Sequence, residues 1–203
     1  MMTAPTSPYE RALGRRMALL HPELQRYFST IRSGTVGVGV GVFAEFGTPH
    51  RWLEPALSLL QRRHVLLPGW YEDVPFRIVN RTVEGRAVAV RRVPGDGTWT
   101  MRDSVYLAPH GRVVDTIGQP ALFDVSFDID VRDGELHLSS HAVAVRWGRS
   151  RIRLPRPIAP RIHLRERYDD VEQCQYVDLT VRVALLGVIY RYRGTFSYRI
   201  EED

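Results

Sequence analysis

The chain has 203 residues, of which 28 are basic and 23 acidic, giving a formal charge of +5. A chain of this length forms one domain that buries roughly 70% of its unfolded surface, so neither a disulfide framework nor a structural metal is required. All 28 basic residues are arginine and none is lysine, a bias of the whole composition, so arginine is informative only where it clusters. Cys174 is the single cysteine, which excludes a disulfide within these residues and fits a reducing compartment. The opening MMTAPTSPYER has no apolar signal core, and the longest apolar run, Val183 to Ile189, is too short to span a bilayer. A cytoplasmic location is expected.

Ser7-Pro8-Tyr9-Glu10 reads as a helix start, with Ser at the N-cap, Pro at the first position and Glu placed for a capping box. Tyr9, Ala12, Leu13, Met17 and Leu20 recur on one face of that helix. His21-Pro22 breaks it and opens a second helix with Leu24, Tyr27, Phe28 and Ile31 as its apolar stripe. Next comes SGTVGVGVGVFAE, Ser33 to Glu45, where Val36, Val38, Val40 and Val42 share one strand face and Gly37, Gly39 and Gly41 the other. Three alternating glycines imply that something approaches their face closely, and the valine face is expected to join the core. The glycines continue a strand rather than turning into a helix, so they are not a phosphate-binding loop. Residues 52–64 carry Leu53, Leu57 and Leu60 at helical spacing, with Pro55 marking a late start or a kink.

From Val74 onward the period is two. Strands are expected near 74–82, 86–93, 98–107, 111–117, 121–131, 135–147, 149–154, 160–168, 174–185 and 188–200, with turn signals at Glu84-Gly85, at 94–97, and at Gly118-Gln119-Pro120 and Asp133-Gly134. About ten strands in sequence order are a meander, and an open sheet that large curls or closes. The expected fold is mainly β (α+β): one domain over 1–203, with a helical part at 1–70 containing the Gly/Val strand and an antiparallel barrel-like sheet at 74–200. Two to three N-terminal helices are expected to cover one face or mouth.

The Asp133-Gly134 turn predicts pairing of Val131 with Leu136, Asp130 with His137, Asp128 with Ser139 and Ser126 with His141. Phe123, Val125, Phe127 and Ile129 then share one face, and Asp124, Asp128, Asp130, His137 and His141 the other. A carboxylate beside an imidazole can act as a general acid/base pair; the competing reading is a wet outer face. His137 and His141 would lie roughly 13 Å apart at about 3.3 Å per residue, too far to share a metal, and no metal site is expected. Asp115 and Glu166 are the catalytic candidates, because a carboxylate that points inward from a strand gains a raised pKa and can transfer protons. Eight arginines from Arg146 to Arg167 have only Glu166 against them. Of these, Arg149, Arg151 and Arg153 form a ladder suited to phosphate or an anionic membrane surface, the alternative being a solvated face. Base-stacking aromatics do not interleave with these arginines, so no nucleic acid is expected. There is no Gly-x-Ser-x-Gly elbow.

Several features recur together: Tyr9-Glu10-Arg11-x-Leu13-Gly14, the Gly/Val strand, Leu67-Pro68, Asp73-Val74-Pro75, Trp99, Asp115-x-x-Gly118, Leu154 to Pro157, and Leu185-x-Gly187-x-x-Tyr190-x-Tyr192-x-Gly194. In this order the chain resembles the bacterial family catalogued as domain of unknown function 4166. Members of that family stand alone or are attached to dinucleotide-dependent dehydrogenase-like domains, so the resemblance implies an accessory role beside a dehydrogenase partner as one possibility. It implies no established activity.

A curled sheet under helices encloses an apolar interior, and the expected function is binding of a mainly apolar small molecule, lipid-like or polyketide/terpenoid-like, without a cofactor. Trp99, Tyr190 and Tyr192 are expected to wall the ligand and Arg102 to orient a carboxylate or carbonyl. The alternative is a cofactor-independent cyclase or isomerase that uses an inward acid/base pair.

Overall fold

Ser7 caps the first helix as its place before Pro8 predicts. In the computed structural model, which describes residues 6–94, 98–148 and 150–203, its hydroxyl accepts from the Tyr9 N–H, while the Glu10 carboxylate accepts from the Ser7 N–H at 3.1 Å. This helix, α1 (Pro8–Leu13), stops at Gly14, whose φ of 53° leaves the helical range, and the chain continues as a 3₁₀ segment over Gly14–Leu19. The single long helix implied by the apolar spacing is therefore split. Helix α2 (Pro22–Phe28) follows, capped by the His21 ring nitrogen. Helix α3 (Glu54–Gln61) begins with Pro55 in its first turn, so the proline marks a late start rather than a kink.

Among the described residues there are eleven strands: β1 (Thr35–Gly47), β2 (Trp70–Val83), β3 (Arg86–Val93), β4 (Trp99–Leu107), β5 (Val113–Ile117), β6 (Phe123–Arg132), β7 (Glu135–Trp147), β8 (Ser150–Arg153), β9 (Arg161–Asp169), β10 (Cys174–Val183) and β11 (Gly187–Glu202). Every pairing is antiparallel, and the order β6-β5-β4-β3-β2-β1-β11-β10-β9-β7 closes on itself because β6 also pairs with β7. The result is a closed ten-stranded barrel. Strand β8 lies outside the ring, against the last four residues of β7. Residues 95–97 of the expected turn before Trp99 lie outside the described residues.

Consecutive connections alternate between the two barrel ends. The Asp133-Gly134 turn receives the His21 N–H at 2.9 Å, whereas the Gly118-Gln119 turn, at the other end of β6, donates to the Arg63 carbonyl at 2.8 Å. So α1 and α2 close one end and the α3 connection closes the other, where the sequence had suggested a single covered mouth or face. Strand β2 starts at Trp70 rather than Val74 because residues 70–72 continue the ladder with Glu45–Gly47, beyond a bulge in β1.

The valine face of β1 points outward, contrary to its expected place in the core. Gly39 stands opposite Ile78, which lines the interior, and opposite residues of an antiparallel pair share a face. Val40 and Val42 are exposed, while Val36 and Val38 are buried on the outer wall beneath Arg77 and Arg81. The glycines are the inner face, and aromatic side chains occupy the room they leave. A Cβ on Gly37 would lie 1.7 Å from the Tyr198 hydroxyl, and one on Gly41 2.0 Å from the Thr195 carbonyl oxygen. Phe43 and Phe76 stack beside them with ring centroids 3.9 Å apart.

The β6–β7 hairpin has the predicted register up to Asp128, opposite Ser139. A bulge then pairs Ser126 with Ala142 instead of His141, which keeps both Leu138 and Val143 on the inner face.

Gly41→Ala should destabilise the fold by about 1–3 kcal/mol, because its obstacle is backbone that cannot turn away. Gly37→Ala should cost less, and part of that cost should vanish in a Tyr198→Ala background. Urea denaturation in a double-mutant cycle measures both.

Candidate functional site

A barrel of ten strands is wider than its inward side chains fill, and here a cavity of about 430 Å³ remains along the axis. Valine, leucine, isoleucine and aromatic side chains make most of its wall, with Tyr9 and Tyr27 entering from the helices at one end and Leu57, Leu60 and Leu66 from the other. The small inward residues of β3, Ala87 and Ala89, keep the space open beside a group of polar side chains.

That group comes from four strands. On β3, Arg91 points inward diagonal to Asp103 of β4, with an N–O separation of 4.0 Å, and its guanidinium lies 5.5 Å from the Tyr192 ring centroid. Asp115 of β5 faces the same space, and one of its carboxylate oxygens is buried without a hydrogen-bond partner among the described residues. The buried Glu166 of β9 accepts a hydrogen bond from the buried Gln175 of β10. Two further buried polar atoms on cavity residues have no such partner, the indole nitrogen of Trp99 and the amide oxygen of Asn80.

One guanidinium thus faces three carboxyl groups in a largely apolar enclosure, and these cannot all be charged. Burial, with the Asp103 charge added, pushes Asp115 well above the usual carboxylate range. Burial also raises Asp103, although the Arg91 charge works the other way. Glu166 is pushed up to about 7 by burial, opposed by its Gln175 hydrogen bond and by Arg91. The interior therefore holds one guanidinium, 4.0 Å from Asp103, among carboxyl groups that burial shifts toward the protonated form, in which they donate a hydrogen bond.

Both catalytic candidates read from the sequence, Asp115 and Glu166, face this interior. So do Trp99, Tyr190 and Tyr192. Tyr190 also ties the loop that trails α3 into the barrel, because its hydroxyl donates to the Leu67 carbonyl at 3.1 Å and accepts from the Leu67 N–H. Arg102 is a correction. It is exposed on the outer wall between the inward Met101 and Asp103, and the interior guanidinium is that of Arg91 instead. Arg91 and Asp103 were not found from the sequence. The signal was strand parity, since Val105 of β4 is inward and Asp103 lies two residues before it.

The arginine-rich segment is exposed but not uniformly free. Arg146 and Arg151 both reach Asp124, at 3.2 and 2.8 Å, Arg165 forms a two-bonded pair with Glu135, and Arg167 meets Asp169 at 2.9 Å. Strand neighbours supply Asp124 and Glu135, Asp169 lies two residues beyond Arg167 on β9 itself, and Glu166, the one acid within the segment, points inward. Arg153 is exposed, and Arg149 lies outside the described residues.

Fold and site define a closed antiparallel β-barrel with an apolar cavity and a buried acid cluster. The chain belongs to the family described as Domain of unknown function (DUF4166), whose model matches residues 20–196. It is 26% identical over 207 residues to the uncharacterized protein YndH of Bacillus subtilis (strain 168), covering 98% of this chain and 100% of that one. No solved structure matches it. No helix among the described residues is long and apolar enough to cross a membrane.

Glu166 makes stability pH-dependent in a defined direction. Below its ordinary value of 4.5 it is protonated in both the folded and the unfolded chain; from there to about 7 only the folded chain keeps the proton. Stability should therefore be highest below pH 4.5 on this account and fall as pH rises to 7, by about 3 kcal/mol for this one group. Glu166→Gln should flatten the fall by that share, leaving the part due to Asp103 and Asp115. Urea unfolding at stepped pH measures it.

Proposed function

We propose that this protein binds a mainly apolar small molecule, lipid-like or polyketide/terpenoid-like, inside the barrel, and that the ligand carries one or two neutral polar groups. The observation that carries this reading is the cavity itself: about 430 Å³ of largely apolar space inside the barrel, bordered by buried polar atoms of Asp115, Trp99 and Asn80 that lack a protein partner among the described residues. Such a volume is within the range of small-molecule sites, and a few convergent polar groups in an apolar wall orient a ligand. An unpaired buried polar atom costs about 1–3 kcal/mol, which a ligand group of matching chemistry recovers. Asp115 as an acid donates to a carbonyl or hydroxyl oxygen, as does the Trp99 indole. A ligand carboxylate fits poorly, because three carboxyl groups already outnumber the one guanidinium.

A second reading, proton-transfer catalysis on the bound molecule, is favoured by one specific observation. Glu166 titrates near neutrality, so it can take a proton from carbon and return it, while the acid form of Asp115 polarises a neighbouring carbonyl. That is the chemistry of a cofactor-independent isomerase or cyclase. Under this reading Glu166→Gln abolishes turnover and leaves binding intact.

Native mass spectrometry of the purified chain, followed by thermal-shift screening of apolar compounds with a carbonyl or hydroxyl, tests binding. A compound present at about 100 times its dissociation constant should stabilise the fold by about 2.7 kcal/mol. Ala89→Phe, which places a ring in the cavity, should abolish that shift without lowering the midpoint of the ligand-free protein. No retained ligand and no shift with any compound, or shifts that persist in Ala89→Phe, would overturn the proposal.

A further inference from the structure

The barrel end covered by α3 has a surface that a closed barrel does not need. The β8 region and the β10–β11 turn neighbour each other there, because β9 and β10 are adjacent strands whose ends at this side carry these two connections. Trp147 is 76% exposed, Ile158 59% and Leu185 91%, with Ile152 and Leu186 exposed beside them. Large apolar side chains grouped in this way mark an interaction surface.

Charge identifies the partner. Neither residues 147–165 nor residues 179–192 contain an aspartate or glutamate. Arg153, Arg156, Arg161 and Arg182 are exposed on this arc, and none of them takes part in an ion pair among the described residues. This arc is thus apolar and basic, with a tryptophan at its edge, the combination that seats a surface in the headgroup layer of an anionic bilayer. The apolar surface is also continuous with the interior: Ile158 is exposed yet lines the cavity, as do Leu154, Pro160 and Val183 next to it. On the adjoining side wall, by contrast, Asp178 sits between Arg165 and Arg193 at mid-strand.

We propose that the arc formed by residues 147–148, 150–161 and 182–187 docks on an anionic phospholipid bilayer, with Trp147, Ile158, Leu185 and Leu186 entering the headgroup region and the four arginines pairing with phosphates. The docking does not depend on what the cavity holds. It is tested by sedimenting the full chain with vesicles of phosphatidylcholine alone and of phosphatidylcholine mixed with phosphatidylglycerol. The chain should pellet with the mixed vesicles, much less with the neutral ones, and less as salt is raised.

Two double variants separate the contributions: Leu185→Asp with Leu186→Asp, and Arg153→Ser with Arg156→Ser. All four side chains are exposed, so the circular dichroism of each variant should match the parent, and the arginine pair serves if the leucine pair does not fold. Each should lower partitioning onto mixed vesicles by roughly tenfold or more. No pelleting at low salt, equal pelleting with both vesicle types, or pelleting that survives the variants overturns the proposal. So does self-association through this arc without vesicle binding, which would make a second copy of the chain its partner.

Discussion

The pairing of the first strand with the last is the constraint on which the rest of the structure depends. β1 and β11 share a ladder from Thr35 opposite Glu202 to Gly47 opposite Arg191, and without it both would be open edges of a large curled sheet. With it, the ten strands of the ring each gain a neighbour on both sides and the sheet encloses a volume. The glycines of β1 permit this closure, because Ile78 and Phe196 crowd Gly39 from the two neighbouring strands. At Gly41 the obstacle to a side chain is β11 itself.

Closure then creates the chemistry. A barrel wide enough to leave a cavity holds its inward polar groups away from water and only loosely in contact with one another, so Arg91, Asp103, Asp115 and Glu166 share one poorly solvated enclosure. Burial shifts the three carboxyl groups toward their acid forms, and the single guanidinium opposes that shift. The same groups that make the interior costly at high pH are hydrogen-bond donors in their acid form.

Outside, the arginine excess is arranged unevenly. Along the wall, arginines meet carboxylates from neighbouring strands, as Arg165 does Glu135 and Arg191 and Arg193 do Glu45. Such exposed pairs contribute little stability each, but each offsets charge on the wall. At the end formed by β8 and the β10–β11 turn Asp124 meets Arg151, but Arg153, Arg156, Arg161 and Arg182 form no ion pair among the described residues, and their charge stays beside apolar side chains.

Much of the architecture was legible in the residues. Asp133-Gly134 and Glu84-Gly85 adopt the positive φ angles their hairpins need, Ser7 with Glu10 forms its capping box, and period two marks ten of the strands, because each of these signals is local. The inner and outer faces were not legible, since period two separates a strand's faces without naming them. That is why the valines of β1 and Arg102 lie outside while Arg91 and Asp103 lie inside, and why the bulge at His141 escaped notice. Tight turns carry parity from one strand to the next, but bulges and longer connections lose it. The sequence alone determined where strands begin and turn; only closure of the barrel decided which side chains meet, because a face becomes an interior when the last strand finds the first.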